Sequence, residues 1–253
     1  MEQIKTEAIV IRSLNWSESS KIITLFSREL GLINVIAKGA RKKNSQYQGL
    51  LESLNAVEAI IYISAGRNLQ ILGNTELEHS FHKLRQDLNK TGYALSILEL
   101  INIFFLYSES DAIFYDFLLY IISFIENHNM NEIAFWYFIL KLTSFLGFRP
   151  EFSQCHKCHN TINFNNFSFS FSNGSVICAR CGNGERTSGE LIKFLDYLQN
   201  TKYRELNEVI LPGISINKIT VFLIEYLRYH TDQNLKLNGL QLVDNLTANS
   251  LDK

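Results

Sequence analysis

Lys21-Ile22-Ile23-Thr24-Leu25-Phe26, followed by Gly31-Leu32-Ile33-Asn34-Val35-Ile36-Ala37-Lys38-Gly39-Ala40-Arg41-Lys42-Lys43, decides the architecture of the first third of the chain. Both apolar runs are β-branched and alternate, and Gly31 and Gly39 bound the second, so they read as consecutive strands. Upstream, Ile4-Lys5-Thr6-Glu7-Ala8-Ile9-Val10-Ile11-Arg12 alternates in the same way. Downstream, residues 56–64 and 69–72 flank Ala65-Gly66-Arg67-Asn68, a hairpin signature. Five short strands within residues 1–80 predict a small closed β-barrel. The OB-fold is the commonest such solution, and a five-stranded SH3-like barrel fits the periodicity almost as well.

From Phe81 onward the apolar period lengthens to three and four residues. Leu84, Leu88, Leu95, Leu98, Ile101 and Phe105 form one stripe, and Phe114, Leu118, Ile121 and Ile125 a second. Ile133, Trp136, Leu140, Ser144 and Phe148 form a third, which Gly147 and Pro150 end. Residues 152–186 lose this period, and it resumes after Thr187-Ser188-Gly189-Glu190, a helix N-cap pattern. The expected class is therefore α+β and multidomain. An N-terminal five-stranded OB-fold barrel occupies residues 1–80, and an α-helical domain occupies 81–253 with an insert at 152–186. The polar tail from Asn245 is expected to fray.

Composition narrows the function classes. Of 253 residues 46% are hydrophobic, which excludes a disordered chain, and 24 bases balance 25 acids. Global charge thus carries no signature of nucleic-acid or membrane binding, but the balance is local. Residues 1–80 hold nine bases against eight acids, and residues 81–150 hold five against seven. Between Leu30 and Leu51 stand Lys38, Arg41, Lys42 and Lys43 with no acid among them. The most apolar stretch, residues 112–125, is too short to span a bilayer and is broken by Asp116, so it reads as a buried helix. The opening residues lack a signal-peptide pattern, and a cytosolic protein without membrane partners is the expectation.

The four cysteines carry the sharpest signal. Cys155-His156-Lys157-Cys158 and Cys178-Ala179-Arg180-Cys181 are paired C-x-x-C knuckles with 19 residues between them. That spacing suits a tetrahedral Zn2+ site, structural because four thiolates leave no open position. The intervening residues, with Asn173-Gly174 as the turn, are expected to form a hairpin. Cys158-His159 also completes a c-type haem attachment pattern, but that chemistry belongs to exported proteins and leaves Cys178 and Cys181 unexplained. A thioredoxin-like pair lacks its βαβ setting, and His156 and His159 read as surface residues beside better-spaced thiols.

Lys38, Arg41, Lys42 and Lys43 on a mobile loop beside a barrel face are the residue types that phosphate binding needs, and Lys21 adds charge nearby. Phe26, Tyr47 and Tyr62 are candidate stacking aromatics, each more readily explained as core. No P-loop, dinucleotide fingerprint, nucleophile elbow or H-E-x-x-H is present, and the six histidines form no dyad. An enzyme is not expected. The residues alone leave open a protein–protein adaptor with a structural zinc, or a nucleic-acid enzyme subunit lacking a recognisable motif.

In order along the chain, residues 7–12, Glu18-Ser19-Ser20-Lys21 through Ser27, Gly31 through Lys42, and Leu146-Gly147-Phe148-Arg149-Pro150 leading into the first knuckle resemble the RecO family of bacterial DNA repair and recombination mediators. The resemblance implies binding of single- and double-stranded DNA and annealing of complementary strands. It also implies action with RecR, in the RecFOR pathway, to load RecA onto DNA coated by single-strand-binding protein. By matching motif, Lys21, Lys38, Arg41, Lys42 and Lys43 would contact DNA, and Cys155, Cys158, Cys178 and Cys181 would hold zinc. Lys83, Arg85, Lys141 and Arg149 are the few bases available to meet the acidic tail of single-strand-binding protein. The implied location is cytoplasmic, in association with the nucleoid.

Overall fold

The computed structural model describes residues 2–105, 110–182 and 184–251, with side chains up to residue 246. Two compact units result, one of residues 1–127 with 237–253 and the other of residues 128–236. The described residues form seven strands: β1 (Glu2–Asn15), β2 (Lys21–Ser27), β3 (Gly31–Ala37), β4 (Ala56–Ile63), β5 (Gln70–His79), β6 (Phe167–Ser170) and β7 (Ser175–Cys178). The helices are α1 (Leu88–Phe104), α2 (Ala112–Asn127), α3 (Asn131–Phe145), α4 (Gly189–Asn200), α5 (Ile216–Thr231) and α6 (Asn238–Leu251).

In the first unit β1 to β5 close a barrel in the order β1-β2-β3-β5-β4. The seam between β3 and β5 is parallel and short, with Val35 opposite Gln70 and Ile36 opposite Ile71. This is the OB-fold arrangement, and the SH3-like alternative falls away. Alternation explains the filling: Ala8, Val10, Ile23, Leu25, Val35, Val57, Ala59 and Ile61 point inward. A register shift between Val10 and Arg12 bends β1. Strand β5 runs past its expected end at Leu72 to His79, because pairing with β4 carries a segment whose exposed Asn74, Glu76 and Glu78 offer no apolar run.

On the barrel's outer surface Phe26 meets Phe105 edge-on at 4.9 Å and Tyr115 at 6.2 Å. Helix α2 is the apolar stretch noted above, with Tyr115, Leu118, Ile121, Ile122 and Ile125 fully buried. No helix among the described residues is long and apolar enough to cross a membrane. The buried Glu126 carboxylate accepts the Lys83 N–H at 3.2 Å and lies 3.0 Å from His79 Nε2, which ties the end of β5 to α2. The stripe beginning at Leu84 starts in a 3-10 turn. The α-helix begins only where Asp87 caps the N–H groups of Asn89 and Lys90.

Helix α6 packs on α1 through a double-glycine crossing. A methyl group at Gly92 would stand 2.6 Å from Val243 Cγ2 and 2.7 Å from the Gly239 carbonyl. The Glu99 carboxylate accepts from Asn238 Nδ2 at 2.9 Å and from the Gly239 N–H at 3.4 Å, placing negative charge at the N-terminus of α6. The tail expected to fray continues α6 to Leu251, and residues 252–253 lie outside the described residues.

The second unit is built around α3. Its expected one-sided stripe is corrected: every residue from Ile133 through Leu140 is buried, so α3 is a central helix rather than an amphipathic one. Trp136 donates from Nε1 to Thr220 Oγ1 at 2.9 Å, and Tyr137 donates to the Thr201 carbonyl at 3.0 Å. Ser188 caps α4 as expected. The insert forms the two-stranded β6–β7 hairpin, turned by Gly174 at φ +60°. It packs on α5 through Phe169, 5.2 Å from Phe222 and 6.0 Å from Tyr226.

The glycine crossing gives a sign test. In an exposed helix Gly→Ala stabilises by about 1 kcal/mol. At position 92 the methyl overlaps α6, so Gly92→Ala should instead destabilise by about 1–3 kcal/mol in denaturant unfolding.

Candidate nucleic-acid interface and cysteine cluster

The β1–β2 turn and the start of the β3–β4 connection meet at one mouth of the barrel. Register sets Asn15 opposite Lys21 and Lys21 opposite Ala37, so Lys38 leaves β3 beside Lys21. Gly39, at φ +77°, turns the chain. Arg41 then folds back on the β1–β2 turn, its N–H donating to the Ser19 carbonyl at 3.1 Å and its guanidinium to the Ser17 carbonyl. Lys38, Arg41, Lys42 and Lys43 are exposed and Lys21 is half-buried. Among the described residues none of the five forms an ion pair.

The loop that carries these bases is pinned, not mobile as its composition suggested. Tyr47 and Leu51 enter the barrel core. The Tyr47 hydroxyl donates between the Leu72 and Gly73 carbonyls, 2.9 and 3.0 Å away, and burial raises its pKa. Asn55 Nδ2 donates to the Gly49 and Leu50 carbonyls at 2.9 Å each. Of the candidate stacking aromatics, Phe26 and Tyr47 are therefore core, and the half-buried Tyr62 ring covers Gly73.

Two rows of side chains cross the outer face of β1, β2 and β3 next to this mouth. Leu14, Ile22 and Ile36 stand in register as an apolar row, and Arg12, Thr24 and Asn34 as a polar one. Thr24 Oγ1 donates to Asn34 Oδ1 at 2.8 Å. Asn34 also borders a cleft of about 520 Å³ whose rim includes Arg67 and Asn68 from the β4–β5 turn. The remaining candidate bases sit elsewhere. Lys83 donates to Asn127 Oδ1 and Arg85 to Asn55 Oδ1. Lys141 donates to the Gln199 carbonyl, with its pKa lowered by burial and by Arg149, and Arg149 donates to Asn200 Oδ1.

In the second unit the four cysteine Sγ atoms lie within 4.8 Å of one another. Cys158 and Cys178 stand 3.8 Å apart, far beyond a disulfide and equal to the edge of a tetrahedron with Zn–S bonds of about 2.3 Å. The backbone supports the cluster: Cys155 N–H donates to the Asn160 carbonyl at 2.9 Å, and Cys178 N–H to Cys155 Sγ at 3.4 Å. Lys157 bridges the knuckles, donating to the Cys181 carbonyl at 2.9 Å. Burial pushes the Cys155 thiol up, but N–H donors from Cys178, Cys158 and Lys157 outweigh it and pull the pKa down to about 6. Cys181, donating its proton to Cys158 and Cys178, is pushed up to about 12. A soft, closed donor set of this kind fits a tetrahedral divalent cation such as zinc.

Comparison with known proteins divides the chain at the end of the barrel rather than at the boundary between the two units. Residues 1–81 match the family model described as "Recombination protein O N terminal", and residues 85–238 match "Recombination protein O C terminal". The chain belongs to the RecO family. A "DNA repair protein RecO" from Caldanaerobacter subterraneus subsp. tengcongensis is 30% identical over 241 residues, 93% of this chain and 96% of the relative. One from Dehalococcoides mccartyi is 26% identical over 247 residues, covering 95% and 97%. Another from Desulforamulus reducens is 25% identical over 257 residues, covering 100% and 98%.

Sequence reasoning on this RecO-family chain missed the surface between the basic residues. Trp16 and the Leu14 row came into view only with the register, although a tryptophan followed by Ser17-Glu18-Ser19-Ser20 is itself a signal. The Tyr47 pin supplies a test of the loop. Tyr47→Phe leaves the buried Leu72 carbonyl short of a side-chain donor, while Gly73 keeps Thr75 Oγ1, and should cost about 1–3 kcal/mol in urea unfolding. Tyr47→Ala, which also empties the barrel end, should cost about 3–5 kcal/mol.

Proposed function

We propose that the protein is a non-enzymatic DNA-binding mediator of recombination and repair. In this reading it anneals complementary single strands and, with RecR, helps RecA load onto DNA coated by single-strand-binding protein, in the cytoplasm and at the nucleoid. Family membership supports the DNA-repair role. The observation that carries the binding mode is the set of cations at one barrel mouth, Lys21, Lys38, Arg41, Lys42 and Lys43, held on a pinned loop without acidic partners. Residues 1–80 act as the nucleic-acid-binding domain. The surface of β2 and β3 with the β1–β2 and β4–β5 turns is where OB-folds take oligonucleotides, and here those turns carry Trp16 on one side and Arg67 and Asn68 on the other.

The physical basis of annealing is charge neutralisation. Two strands repel through their phosphates. Cations at the barrel mouth release the condensed counterions and lower that repulsion, and base pairing then supplies the favourable free energy without bond-making by the protein. Neither nucleotide hydrolysis nor a catalytic group is required. In the second unit Cys155, Cys158, Cys178 and Cys181 hold one structural Zn2+, which joins the two knuckles and leaves the metal no open position for substrate.

Affinity for an oligonucleotide should fall with salt at a log–log slope of about −0.7 per phosphate neutralised on single strands. Replacing Arg41, Lys42 and Lys43 together by Ala should flatten that slope by about 2; an unchanged slope refutes the assignment. Strand annealing should proceed without ATP. Elemental analysis of protein purified without chelator should find one zinc per chain, and finding none refutes the metal assignment. Cys158→Ser should lower the thermal midpoint of the second unit while far-ultraviolet circular dichroism stays helical, because α3, α4 and α5 share a core of their own.

A further inference from the structure

Trp16 stands at one side of the surface just described, on the β1–β2 turn, and is given no role by the charges around it. It is 64% exposed, whereas Trp136 is fully buried. A single exposed apolar residue is ordinary on a protein surface, but three features set this one apart. First, its support is rigid. The Trp16 N–H donates to the Ser20 carbonyl at 3.0 Å, Ser17 Oγ accepts from the Ser20 N–H at 3.2 Å, and Arg41 straps the same turn through the Ser17 and Ser19 carbonyls. Second, cations outnumber the one acid of its turn, the exposed Glu18. Arg41 grips the turn that carries it, and Lys21 and Lys38 flank the strand ends that turn joins. Third, the apolar row of Leu14, Ile22 and Ile36 begins two residues away along the chain.

An exposed indole on a braced turn, near cations and an apolar row, has the parts of a stacking platform. Every nucleobase offers a π-face, and the adjacent cations take the phosphates on either side of it. We propose that Trp16 is the base-stacking residue of this barrel and that it confers a preference for single-stranded over duplex DNA. The inference rests on the barrel being the nucleic-acid-binding surface and adds to it a distinct, uncharged contact. Duplex DNA buries its base faces in the stack, so Trp16 has nothing to stack on there, while Lys38, Arg41, Lys42 and Lys43 meet phosphates of either form. The partition is clean because removing the indole removes no charge.

The chain has only two tryptophans, and Trp136 lies in the second unit with its Nε1 held by Thr220, so emission changes on DNA binding report on Trp16. The probe is a fluorescently labelled oligo(dT) for anisotropy, with the unlabelled strand for tryptophan emission. Unlabelled oligo(dT) should quench tryptophan emission in step with the binding isotherm, and Trp16→Phe should remove the Trp16 share of that emission. Trp16→Ala should weaken oligo(dT) binding about 10-fold, change duplex binding by less than about 2-fold, and leave the salt slope as in the unmodified protein. Binding by anisotropy with unaltered tryptophan emission and an equally tight Trp16→Ala variant would overturn the stacking role and leave the phosphate contacts standing. A Trp16→Ala loss equal for single strand and duplex would overturn the single-strand preference. No binding of either form would overturn both this inference and the DNA-binding reading beneath it.

Discussion

The Tyr47 hydroxyl, held between the carbonyls of Leu72 and Gly73, is the constraint on which the first unit turns. The barrel closes through a parallel β3–β5 seam only two residue pairs long, which is little ladder to hold a cylinder shut. The β3–β4 connection compensates. It sends Tyr47 and Leu51 into the same core as Val35, Ala37, Ile61 and Leu72, and its tyrosine donates to β5 just beyond the seam. The connection thereby contributes apolar filling and a cross-link at once, and its first residues cannot drift. Lys38 and Arg41 are presented at a fixed place because the chain a few residues later is locked in the barrel. The electrostatics of the mouth follow from packing inside it.

Charge is segregated on the same barrel. Across three neighbouring strands Glu7 lies opposite Glu58 and Glu58 opposite Glu76, an arrangement that costs free energy because like charges face one another. Lys5 at 2.6 Å from Glu58 and Arg28 at 3.6 Å from Glu7 relieve part of it. Burial and the carboxylates of Glu7 and Glu58 raise the pKa of Glu78 beside them. Glu7, Glu58, Glu76 and Glu78 thus gather on the β1–β4–β5 flank, while Lys21, Lys38, Arg41, Lys42 and Lys43 gather at the mouth, with Glu18 on its turn. A polyanion sees a local field that the net charge of −1 conceals.

How much of this was legible in the sequence differs by element. The first four strands were readable because alternation and β-branching act locally, and the cysteine pairs were readable because a C-x-x-C knuckle encodes its own geometry. Three features were not. The second half of β5 has a single aliphatic residue, Leu77, among polar ones and is a strand only because β4 pairs with it. Helix α3 carries a periodic stripe that says amphipathic, yet aromatic and aliphatic residues on its other faces are covered as well, and what covers them is distant in sequence. The pinning of the basic loop was hidden because Ser45, Gln46 and Gln48 around Tyr47 look like solvent-exposed loop. In each case the missing information was a tertiary partner, not a local preference.

The insert shows how two modest sources of order divide the work in one short segment. Its hairpin reaches the helices through a stack of rings in which Phe152 lies 5.9 Å from Phe169, and Phe169 meets Phe222 and Tyr226 of α5. Tyr226 also donates to the Phe148 carbonyl at 2.8 Å, so the chain entering the insert is held by the same helix. These contacts fix the hairpin but do not reach the two knuckles, whose residues His156, Lys157, Ala179 and Arg180 are exposed. There the order comes from backbone hydrogen bonds, such as His156 N–H to the Val176 carbonyl at 2.9 Å, and from the four thiols. Without a cation they compete for protons, with Cys155 driven towards thiolate and Cys181 kept protonated by the sulfurs around it. Only a cation at the centre lets all four be thiolates at once, and binding it would release the protons that Cys181 and its neighbours otherwise share. The aromatic stack therefore sets where the insert sits, and the four cysteines with their backbone hydrogen bonds gather its tip.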